Sequence, residues 1–114
     1  MKSFLAADNR INDLSPLQKL SELNILILDN NLVEDISPLS NLFDLEKIYL
    51  SHNNIVDLTP LSFLPKLSYI QLRDNQIQDL SSLHLLTQVT HLNIANNPLN
   101  NLNCPVEPDS ICKF

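Results

Sequence analysis

Residues 45–66 read LEKIYLSHNNIVDLTPLSFLPK. Within this stretch Leu45, Ile48, Leu50, Asn53 and Ile55 spell L-x-x-L-x-L-x-x-N-x-L, and Leu58, Leu61 and Leu64 extend the apolar frame. Asn53 is one of a series: Asn9, Asn31, Asn53, Asn75 and Asn97 follow one another at a constant step of 22 residues. A fixed period of this length is the signature of a solenoid of short stacked units. Such units touch only their neighbours and build an extended concave surface, which points toward binding and away from an enclosed catalytic pocket.

The 22-residue step sorts the chain into columns. Phe4, Leu26, Ile48, Ile70 and Leu92 form one, and Ala6, Leu28, Leu50, Leu72 and Ile94 form the next, two residues on. Alternation at period two predicts a strand with one buried face. Four more columns follow the asparagine, headed by Ile11, Leu14, Leu17 and Leu20 and running on to Leu99, Leu102, Leu83 and Leu86. A single unit cannot bury its own apolar face, whereas five stacked units cover one another.

Other columns carry the turns. The asparagine amide both donates and accepts, so a stacked row of these side chains is predicted to serve backbone groups that each turn leaves unpaired. Glycine is absent. Asparagine tolerates the left-handed region, so the tight turns are expected at Asn30-Asn31, Asn53-Asn54 and Asn96-Asn97. Asp13, Asp35, Asp57 and Asp79 precede Ser15-Pro16, Ser37-Pro38, Thr59-Pro60 and Ser81-Ser82. There the hydroxyl is expected as a helix N-cap with proline at the first helical position, giving one short helical or 3₁₀ turn on the convex side of each unit.

Composition narrows the function. The net charge of −6 and pI near 4.7, with no basic run, argue against a nucleic acid partner. The lack of glycine excludes enzymes built on phosphate-cradling loops or dinucleotide motifs, and no cofactor is expected. No apolar stretch approaches the roughly 20 residues that span a bilayer, and the apolar start ends at Asp8, too early for a signal peptide. These features favour a cytoplasmic protein that does not engage membranes. Met1 falls in the column of Leu23, part-way into a unit, which leaves either a fragment of a longer protein or an exposed first strand. An unpaired strand over Ser3 to Ala7 would invite self-association.

The period breaks after Leu102, in the tail NCPVEPDSICKF of residues 103–114. Cys104 and Cys112 make a weak metal site, with no clustered histidine, and are either a disulfide closing the tail or two buried thiols. Val106, Ile111 and Phe114 are placed to cover the last unit's open core, as a terminal cap must.

The unit at residues 45–66 and its neighbours resemble the 22-residue class of leucine-rich repeats found in bacterial internalins and in phosphatase-regulator-type repeat proteins. The Asp-Ile/Leu-Ser/Thr-Pro-Leu stretch is especially internalin-like, and the tail is similar to endings of short internalin-like bacterial proteins. The resemblance covers residues 1–103, with 104–114 as a capping tail. It implies an α/β leucine-rich repeat solenoid: a right-handed horseshoe segment with a parallel concave sheet of about five strands and 3₁₀ turns behind. It further implies protein recognition. The chain departs from surface internalins in their helical cap, immunoglobulin-like domain and wall anchor, so host-cell adhesion does not carry over.

The positions left free by the frame are the candidates for function. Concave columns run Ser3, Ile25, Lys47, Tyr69, His91 and Leu5, Ile27, Tyr49, Gln71, Asn93. A third adds Asp29, Ser51 and Arg73, and a fourth Asn30, His52 and Asp74. With strands about 4.8 Å apart, Ile25, Ile27, Tyr49 and Tyr69 are expected to form a continuous apolar and aromatic patch flanked by Lys47, Gln71, Arg73 and His91. The competing reading is that Tyr and Ile are ordinary strand formers there. Phe43, Phe63 and Leu85 make a second, convex candidate. Ser51, His52 and Asp74 mimic a triad, but an open sheet supplies no oxyanion hole or dry pocket, so a surface His52–Asp74 pair is expected instead. The reading is therefore a non-enzymatic protein-binding module. The alternatives are a purely structural solenoid or the recognition arm of a larger protein.

Overall fold

A computed structural model of the chain describes residues 2–114; Met1, and with it the assignment to the Leu23 column, lies outside the described residues. Each unit contributes one strand: β1 (Lys2–Leu5), β2 (Leu23–Ile27), β3 (Lys47–Tyr49), β4 (Tyr69–Gln71) and β5 (His91–Asn93). The tail adds β6 (Cys112–Lys113), so the sheet has six parallel strands in sequential order where about five were expected. The register advances by one repeat per strand, with Leu26 beside Ile48, Ile48 beside Ile70 and Ile70 beside Leu92. These four side chains have no solvent-exposed surface. Behind the sheet run 3₁₀ turns at Ser15–Leu17, Ser37–Leu39, Thr59–Leu61 and Ser81–Leu83, with a fifth at Asp109–Ile111 in the tail.

Stacking explains which frame positions escape burial. Leu42, Leu64 and Leu86 are buried, yet Leu20 of the same column is exposed, since among the described residues no earlier unit lies over it. At the other end Leu102, expected in the core, is 67 % exposed: the pattern has already broken and the tail takes its place. Val106 is buried and Ile111 packs against the core, while Phe114, expected to share that role, stays exposed. The two cysteines are joined as a disulfide, Cys104–Cys112, which ties β6 to the end of the last repeat.

The asparagine row forms as expected. Asn53 donates to the carbonyls of Leu50 and Ser51 in its own unit and of Leu28 in the previous one, at 3.1, 3.3 and 3.0 Å. Its oxygen accepts from the Val33 N–H at 2.9 Å. Asn31 and Asn75 repeat this pattern and are buried. Asn9, with no earlier unit beneath it, reaches only Ala6 and Ala7 of its own unit.

Two local expectations are corrected. Left-handed backbone occurs at Asp8, Asn30, His52, Asp74 and Asn96, all immediately before the row asparagine, and not at Asn53-Asn54. The turn needs positive φ at that column, and Asp and His tolerate it nearly as Asn does. The 3₁₀ turns are capped by the aspartates and not by hydroxyls. Asp13, Asp35, Asp57 and Asp79 accept from the N–H two residues on, at 2.8–2.9 Å. The carboxylate reaches over the turn that its own backbone starts, and the Ser or Thr already lies inside the first 3₁₀ turn, too late to cap it.

Candidate functional site

With Leu26, Ile48, Ile70 and Leu92 inward, alternation turns their strand neighbours outward onto the concave face. The strand pairing sets Ile25 beside Lys47, Lys47 beside Tyr69, and Tyr69 beside His91. The next column sets Ile27 beside Tyr49, Tyr49 beside Gln71, and Gln71 beside Asn93. Lys47 thus interrupts the line from Ile25 to Tyr69, and the apolar run passes through Ile27 and Tyr49 instead.

The aromatic groups do meet. Tyr49 and Tyr69 lie with ring centroids 5.3 Å apart at a 38° tilt. Tyr69 stacks on His91 with centroids 4.3 Å apart and planes 7° from parallel, so His91 belongs to the row and not to its rim. Gln71 fastens the row from the side: its amide nitrogen is 3.2 Å from the Tyr69 hydroxyl, to which it donates, and 3.0 Å from His91 Nε2. Burial holds the His91 pKa below its ordinary value, helped by the nearby Lys113 ammonium. Burial likewise raises the Tyr49 pKa, with Tyr69 and Asp29 adding to the effect.

Arg73 is drawn elsewhere. Its Nε lies 2.9 Å from Asp74 Oδ2, and the same oxygen is 3.4 Å from His52 Nε2, the surface pair the sequence suggested. Asp29 takes the Ser51 N–H at 2.7 Å, and burial raises its pKa against the pull of that hydrogen bond.

Sequence reasoning missed Lys113. Its pairing with Asn93 carries the Tyr49 and Gln71 column one strand further, and its charge acts on His91. The tail has no 22-residue period, so no column could be drawn through it; only the pairing of β6 puts Lys113 on this face. On the convex side Phe43, Phe63 and Leu85 stand exposed.

Stacked 22-residue units, one parallel strand each and an asparagine row define a leucine-rich repeat solenoid. The chain belongs to the leucine rich repeat family, whose family model matches residues 43–99. It is similar in structure to internalin C2 of Listeria monocytogenes, with 34 % identity over 92 % of this chain and a TM-score of 0.84. Internalin F of the same organism matches at 26 % identity over 93 % of this chain, with a TM-score of 0.72. A leucine-rich repeat protein of Leptospira interrogans, 19 % identical over 81 % of this chain with a TM-score of 0.65, shares the fold. The chain spans 46 %, 39 % and 30 % of the length of these three. No curated protein matches it. Leucine-rich repeat domains are in general protein–protein interaction modules. No helix among the described residues is long and apolar enough to cross a membrane.

Proposed function

We propose that the chain is a non-enzymatic recognition module that binds a protein partner on its concave face, through Ile25, Ile27, Lys47, Tyr49, Tyr69, Gln71, Arg73 and His91. The observation that carries this reading is the Tyr49–Tyr69–His91 row, with ring centroids 5.3 and 4.3 Å apart on the outward face of the sheet. Strand pairing alone would be served by any β-former, whereas a stacked aromatic row fixed by Gln71 is a rigid, half-buried anchor of the kind that dominates protein interfaces. Residues 1–103 are the recognition array and 104–114 its cap, and neither membrane nor nucleic acid is the partner. The catalytic reading of Ser51, His52 and Asp74 has no support, because an open sheet face supplies no oxyanion hole or dry pocket and the Asp74 carboxylate is shared with Arg73.

A second reading concerns β1. Its outer edge pairs with nothing among the described residues, and its own Leu5 and the neighbouring Leu20 are exposed, which favours a further segment or a second copy docking there. The Cys104–Cys112 bond favours an oxidising compartment over the cytoplasm expected from the lack of a visible signal peptide or membrane span.

The test is affinity capture from the native source with Tyr49→Ala/Tyr69→Ala and, as a convex control, Phe63→Ala. Partners lost only with the tyrosine pair support the concave face. Partners kept by the tyrosine pair and lost with Phe63→Ala overturn it.

A further inference from the structure

The strand positions of the concave face from β3 onward are not charged like the rest of the chain. The sequence holds 13 acidic residues against 7 Lys and Arg. From β3 to β6, however, the outward strand positions carry Lys47 and Lys113 and no carboxylate, while Arg73, Asp74 and Asp29 lie just past the strand ends. Arg73 is neutralised by Asp74, while Lys47 and Lys113 make no ion pair among the described residues. Many of the carboxylates are committed elsewhere, including the turn-capping Asp13, Asp35, Asp57 and Asp79. At physiological salt a distant surface charge is screened beyond about 8 Å, so the local cations set the potential that a docked group meets.

Position adds to charge. Lys47 on β3 and Lys113 on β6 lie diagonally across the Tyr69–His91 stack, three strand spacings apart (about 14 Å at roughly 4.8 Å each) and one column apart (about 6.6 Å along the strands), or about 16 Å in all. An extended chain rising about 3.3 Å per residue covers that distance in about five residues.

Resting on the concave-face reading above, we propose that the partner presents an acidic peptide segment that crosses the strands. Two of its carboxylates, about four to five residues apart, meet Lys47 and Lys113, and an apolar side chain between them lies on the Tyr49–Tyr69–His91 row.

The experiment selects binders from a random phage-displayed dodecapeptide library on the immobilised full chain, then measures fluorescein-labelled copies of the enriched peptides by anisotropy. Enriched peptides are expected to be acidic and to lose binding to Tyr49→Ala/Tyr69→Ala. They should bind Lys47→Gln/Lys113→Gln on the order of tenfold more weakly, with a shallower salt dependence. Both lysines are exposed and unpaired, so that variant keeps the fold. Peptides that depend on the tyrosines but are neutral or basic, or ignore the lysine substitutions, overturn the acidic partner and leave the concave face standing. Peptides indifferent to the tyrosines, or no enrichment at all, overturn both. Oligo-dT displacing the peptides from the same face would identify a nucleic acid and overturn the inference.

Discussion

Tyr69 and His91 lie face to face on adjacent strands, their rings 4.3 Å apart and 7° from parallel. Neutral His91 suits both neighbours: its Nε2 lone pair can accept the Gln71 amide at 3.0 Å, and it adds no charge beside Lys113. Protonation removes that lone pair and sets a cation next to Lys113.

The sign of the resulting pH dependence follows from the lowered pKa. The unfolded chain, with His91 near its ordinary value of about 6.5, takes up a proton before the folded chain does. The His91 contribution to stability is therefore complete above about pH 6.5 and is lost as pH falls through the lower folded value. The melting temperature should decline modestly over that window, and His91→Phe, which keeps the stack without the proton, should flatten the decline. An equally steep decline in the variant would assign it to other groups.

Asn53→Ala should be far more damaging than any surface change. It strands the Val33 N–H in a buried turn and leaves the Leu28 and Leu50 carbonyls with one donor each, from Asn31 and Asn75, at a cost of about 2 kcal/mol. Asn9→Ala, whose bonds are exposed and confined to one unit, should cost well under half as much. Urea titration of both variants checks the order.

At the convex turns the acceptor matters more than the charge. The Asp35 pKa is held low by the Ser37 backbone N–H, with the Ser37 side chain adding to it, so its contribution is present above the ordinary carboxylate range and fades as pH falls through the lowered value. Asp35→Ala should lower the melting temperature by a few degrees at neutral pH, and Asp35→Asn, which keeps an oxygen acceptor, by less. Asn also removes the acid sensitivity of that turn. Scanning calorimetry at neutral and acid pH separates the three proteins.

Reducing the Cys104–Cys112 bond frees a tail whose last strand protects β5. By loop entropy the eight-residue separation gives about 2.5 kcal/mol, close to a 60-fold change in local opening. The Ile94 amide, which donates to the Lys113 carbonyl at 2.8 Å, should exchange faster by that order in reductant, while the buried Ile55 amide at the centre changes little. Uniform acceleration of both would mean that the tail stabilises the whole stack.

Much of the fold was legible because its determinants are periodic. Once Asn53 is aligned with Asn31 and Asn75, every repeat column follows, down to the neighbours of Tyr49 and Tyr69 and the pairing of His52 with Asp74. Side-chain geometry was not legible. The stacking of Tyr69 on His91 and the diversion of Arg73 to Asp74 depend on rotamers chosen among neighbours 20 or so residues away or one residue along, which a column cannot rank.

The ends mark the same boundary. By itself the sequence determined the repeat length, the buried columns and the concave positions, since each follows from a local pattern that stacking repeats unchanged. Only the tertiary structure decided that Leu20 and Leu102 are exposed, that Cys104 joins Cys112, and that β6 delivers Lys113 to the concave face. Where the described stack stops, no neighbouring repeat among the described residues enforces the pattern. The outcome then rests on contacts particular to the tail, which no periodicity encodes.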